Sequence, residues 1–161
     1  MAEEPSLEQS PAAIKKILIA VDISGYKGKI ISYGITLAKS LAAEIIAINV
    51  IDKSSLRVAA DLLGYYKTGK IEEYEREMKE RGEQLLAEVE AAFRKSENIN
   101  VTRDVLIDTS AANAIINYAA NKRVDLILIG ARGMTGLEKF MLGGVAIKVI
   151  NHAHCPVLAI R

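Results

Sequence analysis

The chain has 161 residues, half of them hydrophobic, and carries 21 basic against 20 acidic residues for a formal net charge of +1. That length suits one domain, and the charge balance calls for neither a nucleic-acid nor an anionic-membrane partner. The single cysteine excludes an intrachain disulfide and fits a reducing compartment. No apolar run approaches the roughly 18 residues that a membrane helix needs.

Residues 1–13 hold two of the three prolines and little apolar content. They read as a flexible arm ahead of a domain over residues 14–161. The arm is acidic and has no apolar core segment, so it is not a signal peptide, and a cytoplasmic location is expected. Aromatic residues are only 5% and Trp is absent, so the apolar half is mainly aliphatic, which suits buried parallel strands.

The run Ile17 to Val21 is short and continuously apolar, as in a strand buried on both faces. Asp22 to Gly25 breaks it. Apolar positions Ile30, Ile31, Gly34, Leu37, Ala38 and Leu41 then fall at helical spacing. Ile45 to Ile51 reads as a second strand. Residues 52–69 read as loop, with a short turn around Ala59 to Leu63. Lys70 to Lys95 is the longest predicted helix, and Gly82 on its apolar stripe predicts a close approach to the sheet. Its other face pairs Glu72/Arg76, Glu75/Lys79, Glu77/Arg81 and Glu90/Arg94 at i,i+4, a solvated surface.

Val101 to Ile107 reads as a third strand with Val105 to Ile107 buried. Asp108 to Ser110 offers caps for a helix bearing Ala111, Ala114, Ile115, Tyr118 and Ala119. Val124 to Ile129 is a fourth strand, Val145 to Ile150 a short helix, and Pro156 to Ile160 a fifth strand. Proline at its first residue suits an edge. This strict alternation predicts a doubly wound α/β fold: five parallel strands, right-handed crossovers and four helices over both faces. Ligands of such sheets sit beyond the carboxyl ends of the strands, at the switch point. With the first strand central, that crevice lies between the strands ending at Asp22 and Ile129.

The segment from Gly130 through Gly133 and Gly136 to Gly143-Gly144 starts at the end of a buried strand and finishes at a helix start. Glycines there let backbone N–H groups approach a phosphate, and the helix start adds donors. A mobile loop with glycines for tight turns is the competing reading, and the residues alone leave both open.

The spacing Gly130-x2-Gly133-x9-Gly143 resembles the motif of the universal stress protein family in its ATP-binding branch. The resemblance runs from about Lys15 to Arg161. It takes in the opening strand to Asp22, the strand to Gly130 and the closing His154-Cys155-Pro156-Val157-Leu158. It implies strand order 3-2-1-4-5. It implies a site for ATP, AMP or ADP, with or without Mg²⁺. Asp22 would lie beside the nucleotide, Ala20 and Val21 would line the adenine side, and the Val50 backbone would face the base. Gly130, Arg132 and Gly133 would meet ribose and phosphates, and Gly143, Gly144 and Val145 the terminal phosphates. It also implies a homodimer through the last strand, here Val157 to Ile160. Its members act as ligand-dependent stress-response modules, with no catalytic residue to assign here; weak ATP hydrolysis or a nucleotide-free interaction protein are the alternatives.

Two residues depart from the family pattern. Gly144 stands where the family has Ser or Thr, removing one hydroxyl from the phosphate site, a bond to a charged partner worth about 1.5–3 kcal/mol. Asp108 stands where many members have Gly.

Other motifs fail. Gly34 to Ser40 resembles a Walker A fragment but lacks the glycine before Lys39 and lies in a helical stripe. The Ser-rich loop of ATP pyrophosphatases does not follow the first strand. A receiver domain would need an acidic pair where Asp22 stands alone. His152, His154 and Cys155 are the only His and Cys residues and do not complete a four-ligand set, so no metal site is expected.

Overall fold

The computed structural model describes residues 12–131 and 142–161. Residues 1–11, most of the predicted arm, lie outside the described residues. The elements are β1 (Lys16–Ala20), α1 (Lys27–Leu41), β2 (Glu44–Asp52), α2 (Lys53–Leu62), α3 (Tyr65–Thr68), α4 (Ile71–Glu97), β3 (Val101–Asp108), α5 (Ala111–Asn121), β4 (Leu126–Gly130), α6 (Gly144–His152) and β5 (Val157–Ile160). The five strands form one parallel sheet in the order β3-β2-β1-β4-β5. The predicted order and the central place of β1 are both met.

Alternation along the strands divides the core into two layers. Ile17, Ile19, Ile45, Ala47, Leu126 and Leu128 face α1 and α4, where they pack against Ile30, Ala38, Leu86, Val89 and Phe93. Leu18, Ile46, Ile48, Ile127 and Ile129 face the other way, against Ala112, Ile115 and Ala119 of α5 and Val149 of α6. Every one of these side chains is buried, and burying each aliphatic residue contributes about 1.5–3 kcal/mol. The run of consecutive apolar residues in β1 and β4 is thus the signature of strands covered on both faces.

Two glycines set how closely α1 and α4 approach. A Cβ at Gly34 would lie 2.8 Å from the Phe93 ring, and one at Gly82 would lie 2.7 Å from Asn49 Oδ1. The predicted close approach of α4 at Gly82 is therefore present. On the solvent side, Glu77–Arg81 (2.6 Å) and Glu90–Arg94 (2.8 Å) form as the i,i+4 pattern predicts. Glu75 instead reaches Lys53 of α2 at 3.8 Å.

The segment 52–69, predicted as loop, contains α2 and α3, so six helices stand among the described residues rather than four. The Asp52-Lys-Ser-Ser run that reads as a turn is a helix start: Asp52 Oδ1 accepts the N–H groups of Ser54 (2.9 Å) and Ser55 (3.1 Å). Leu56 and Ala60, four apart, supply a narrow buried stripe. The predicted burial of Val105 to Ile107 is also corrected, because Ile107 is exposed on the edge strand β3. The last strand starts at Val157, one residue past Pro156, whose carbonyl accepts the Ile127 N–H at 3.0 Å.

Candidate functional site

The switch point lies where β1 leaves the sheet between β2 and β4. Ala20, the last residue of β1, is in register with Ile48 and Ile129. Val21 continues the ladder by donating its N–H to the Ile48 carbonyl at 2.9 Å. Its own carbonyl accepts Asn49 Nδ2 at 2.9 Å. The chain then turns at half-buried Asp22, whose Oδ1 accepts the Ser24 N–H at 2.8 Å. Ser24 Oγ is buried without a hydrogen-bond partner, the one such side-chain atom among the described residues. An unpaired buried hydroxyl is uncommon and calls for a physical reason, a missing ligand being one.

On the other flank, β4 ends at half-buried Gly130. Ala131 donates its N–H to the Ile160 carbonyl of β5, and its carbonyl accepts the Gly143 N–H, both at 2.7 Å. Gly143 is the N-cap of α6. It supplies no side-chain cap, and the first turn has no acidic residue. The first-turn N–H groups of α6 are thus available to an anion, favoured by the positive end of the helix dipole. Gly144 is exposed, and a Cβ there would meet nothing within 4 Å. Val145 is 38% exposed.

Ala20 and Val50 are half-buried and pack on the same sheet face, toward α5 and α6. The Val21 side chain does not join them. It is buried in the opposite layer with α1 and α4, and both of its backbone polar groups are engaged. The structure therefore brings Ala20, Asp22, Gly130, Gly143, Gly144 and Val145 to the carboxyl edge around β1 and β4, with Val50 one strand over. Arg132 and Gly133 lie outside the described residues.

Asn49 is absent from the sequence prediction, though it fixes the carbonyl next to Asp22. The signal was a polar residue interrupting the apolar run of β2. Gly82 opens the space in which the Asn49 carboxamide sits.

The His and Cys residues lie at the opposite end of the sheet, past α6. His154 Nε2 bonds the Val124 carbonyl at 2.9 Å. Half-buried Cys155 packs against the α5–α6 layer. Burial first, and Asp125 second, push its thiol pKa up, which leaves it a weak nucleophile at neutral pH. No helix among the described residues is long and apolar enough to cross a membrane.

Comparison with known proteins points one way. Residues 13–161 match the Universal stress protein family. A universal stress protein of Methanocaldococcus jannaschii is 35% identical over 147 residues, covering 91% of this chain and 82% of that protein. YxiE of Bacillus subtilis, another universal stress protein, is 33% identical over 91% of this chain and 98% of its own. The solved UspA of Lactobacillus plantarum superposes with a TM-score of 0.72 at 21% identity, covering 94% of this chain and all of that one. Two further structures of the same fold are universal stress proteins in complex with cAMP (TM-score 0.63) and, from Archaeoglobus fulgidus, with dAMP (TM-score 0.60). With a family match over nearly its whole length, relatives above 30% identity and the sheet order described above, this chain belongs to the universal stress protein family.

Proposed function

We propose that the chain is an adenine-nucleotide-binding module, with ATP as its ligand. The observation that carries this reading is the uncapped start of α6, fixed by the Gly143–Ala131 bond beside the end of β4. The cAMP and dAMP complexes of proteins with this fold support it.

In this reading the base lies toward Ala20 and Val50. Asp22 Oδ2, which makes no hydrogen bond among the described residues, accepts from the nucleoside. Gly130, Arg132, Gly133, Gly143, Gly144 and Val145 surround the phosphates. Mg²⁺, when present, would be held by the phosphates and would screen their charge. Of the two acids in the motif regions, Asp22 accepts the Ser24 N–H through Oδ1 and Glu138 lies outside the described residues. The module binds its nucleotide rather than turning it over rapidly. Two such modules pair through β5, whose outer edge has no strand beside it among the described residues.

Heat denaturation of the purified protein followed by chromatography should release an adenine nucleotide, or the empty protein should be stabilised by ATP. Ligand at about 100 times its dissociation constant adds about 2.7 kcal/mol. Gly133→Val should abolish the gain while leaving the fold intact. A protein that releases no nucleotide and shows no thermal shift with millimolar ATP and Mg²⁺ rules the reading out.

A further inference from the structure

The pairing of β1 with β2 ends where one more bond would be expected. Its register runs from Lys16–Glu44 to Ala20–Ile48. The Val21 N–H adds a last bond to the Ile48 carbonyl at 2.9 Å. In a parallel ladder the N–H and carbonyl of one residue point to the same neighbouring strand, and successive residues alternate between neighbours. Ile48 points to β1, so Val50, two residues on, points the same way. The next bond of the ladder would run from the Val50 N–H to the Val21 carbonyl. Among the described residues that bond is absent, and so is any bond from the turn after β1 to the Val50 carbonyl.

A side chain occupies the Val21 carbonyl instead. Asn49 Nδ2 donates to it at 2.9 Å. Asn49 lies on the α4 side of the sheet, where Gly82 leaves room for it: a Cβ at Gly82 would lie 2.7 Å from Asn49 Oδ1. A carboxamide thus takes the acceptor that the ladder would otherwise use. Both backbone polar groups of half-buried Val50 stay open at the carboxyl edge. Backbone groups left unpaired inside a fold call for a reason, and a ligand supplies one.

The pattern of those groups selects the ligand. An N–H beside a carbonyl pairs with an acceptor beside a donor. Adenine carries that pair on its Watson–Crick edge, as a ring nitrogen next to the exocyclic amine. The hypoxanthine of inosine nucleotides reverses both, with a ring N–H next to a carbonyl.

We propose that Asn49 is a positioning residue for base recognition: by holding the Val21 carbonyl, it keeps the N–H and carbonyl of Val50 free for the adenine edge. The ligand in this inference rests on the nucleotide reading above, whereas the mechanism rests on the ladder alone. Asn49 acts through Val21 and needs no contact with the nucleotide.

Amide hydrogen exchange on the whole, nucleotide-free protein tests the mechanism. In the wild type the Val50 amide should exchange about tenfold faster than that of Ile48, which lies within the paired register. Saturating ATP should slow it. Neither measurement depends on a variant folding. Asn49→Leu keeps the size of the side chain and removes the donor, so the Val50 N–H should close onto the Val21 carbonyl and exchange about tenfold more slowly than in the wild type. General damage to the fold would speed exchange, so slowing marks the positioning role. Calorimetry with ATP and ITP as probes should show a wild-type preference for ATP of about tenfold or more, and Asn49→Leu should remove most of it. A Val50 amide already protected in the empty wild type, no slowing in Asn49→Leu, or ATP binding without preference over ITP overturns the proposal. Binding of neither ATP nor ITP sinks the nucleotide reading and the adenine assignment with it, while the exchange rates still decide whether Asn49 holds the ladder open.

Discussion

Asp52 and Ala111 are 59 residues apart, yet the Asp52 carboxylate accepts the Ala111 N–H at the start of α5 through Oδ2 (3.3 Å). The same carboxylate caps α2 through Oδ1. One side chain at the end of β2 thus serves two helix starts. Ser110 completes the α5 cap by accepting the Asn113 N–H at 3.4 Å, and Asp108 Oδ1 accepts the Ser110 N–H at 3.0 Å. Asp108 therefore fixes the β3–α5 turn. Loss of a helix cap costs about 0.5–2 kcal/mol, so Asp52→Ala, which removes two, should cost about 2 kcal/mol. Thermal melting should show a fall of about 4–8 °C at this size. Asp52→Asn should lose less, since its remaining oxygen can cap one helix.

The contact between Gly34 and Phe93 sets a steric limit. Alanine at Gly34 favours the helix by about 1 kcal/mol but drives a methyl into a fully buried ring. Overpacking of this kind costs about 1–3 kcal/mol. Denaturant titration of Gly34→Ala should show a net loss of about 1 kcal/mol.

Gly82→Ala acts through a second residue. The new methyl displaces Asn49 Oδ1 and so disturbs the Asn49–Val21 bond next to Asp22. It should reduce stability by about 1 kcal/mol, the net worth of one hydrogen bond, and shrink the ATP-induced thermal shift. In an Asn49→Ala background the same change should do measurably less, a coupling that a double-mutant cycle resolves. Equal effects in both backgrounds would show that Gly82 does not act through Asn49.

Gly144→Ser restores the hydroxyl that the family pattern carries. The position is open and exposed, so the serine should fold without strain. Calorimetry should give tighter ATP binding, about tenfold or more for a hydrogen bond to a charged phosphate. Unchanged affinity would place the terminal phosphate elsewhere.

Alkaline pH should weaken the fold in two stages. Burial, then Asp125, raises the Cys155 pKa; burial, then Asp104, raises that of Tyr118. Raised values mean that the folded state holds these protons more tightly than the unfolded chain. The associated stability is complete below the unfolded values, about 8.5 for a thiol and 10 for a phenol, and is lost as pH rises through the folded ones. Urea midpoints should therefore fall above about pH 8.5, and Cys155→Ala should remove the first stage of that fall.

The two-layer core was legible because β1 and β4 are runs of consecutive aliphatic residues, a pattern that only strands covered on both faces sustain. Helices α1, α4 and α5 were legible from long apolar stripes. Helix α2 was not, because its buried stripe is just Leu56 and Ala60 and its first residues carry turn chemistry; the cap that defines it comes from Asp52, which reads as the first residue of a loop. The crevice was legible from topology and from Gly130, Gly143 and Gly144. The opposite facing of Ala20 and Val21 also follows from the two-residue period of a strand, yet adjacency in sequence obscured it. Asn49 escaped because its partner, the Val21 carbonyl, is a backbone group with no residue signature.

The 2.7 Å bond from the Gly143 N–H to the Ala131 carbonyl fastens the start of α6 to the end of β4. The same alanine donates its N–H to the Ile160 carbonyl of β5 at 2.7 Å. Ala131 is therefore a junction of three elements, and a change that shifts its backbone should reach β5 and α6 together.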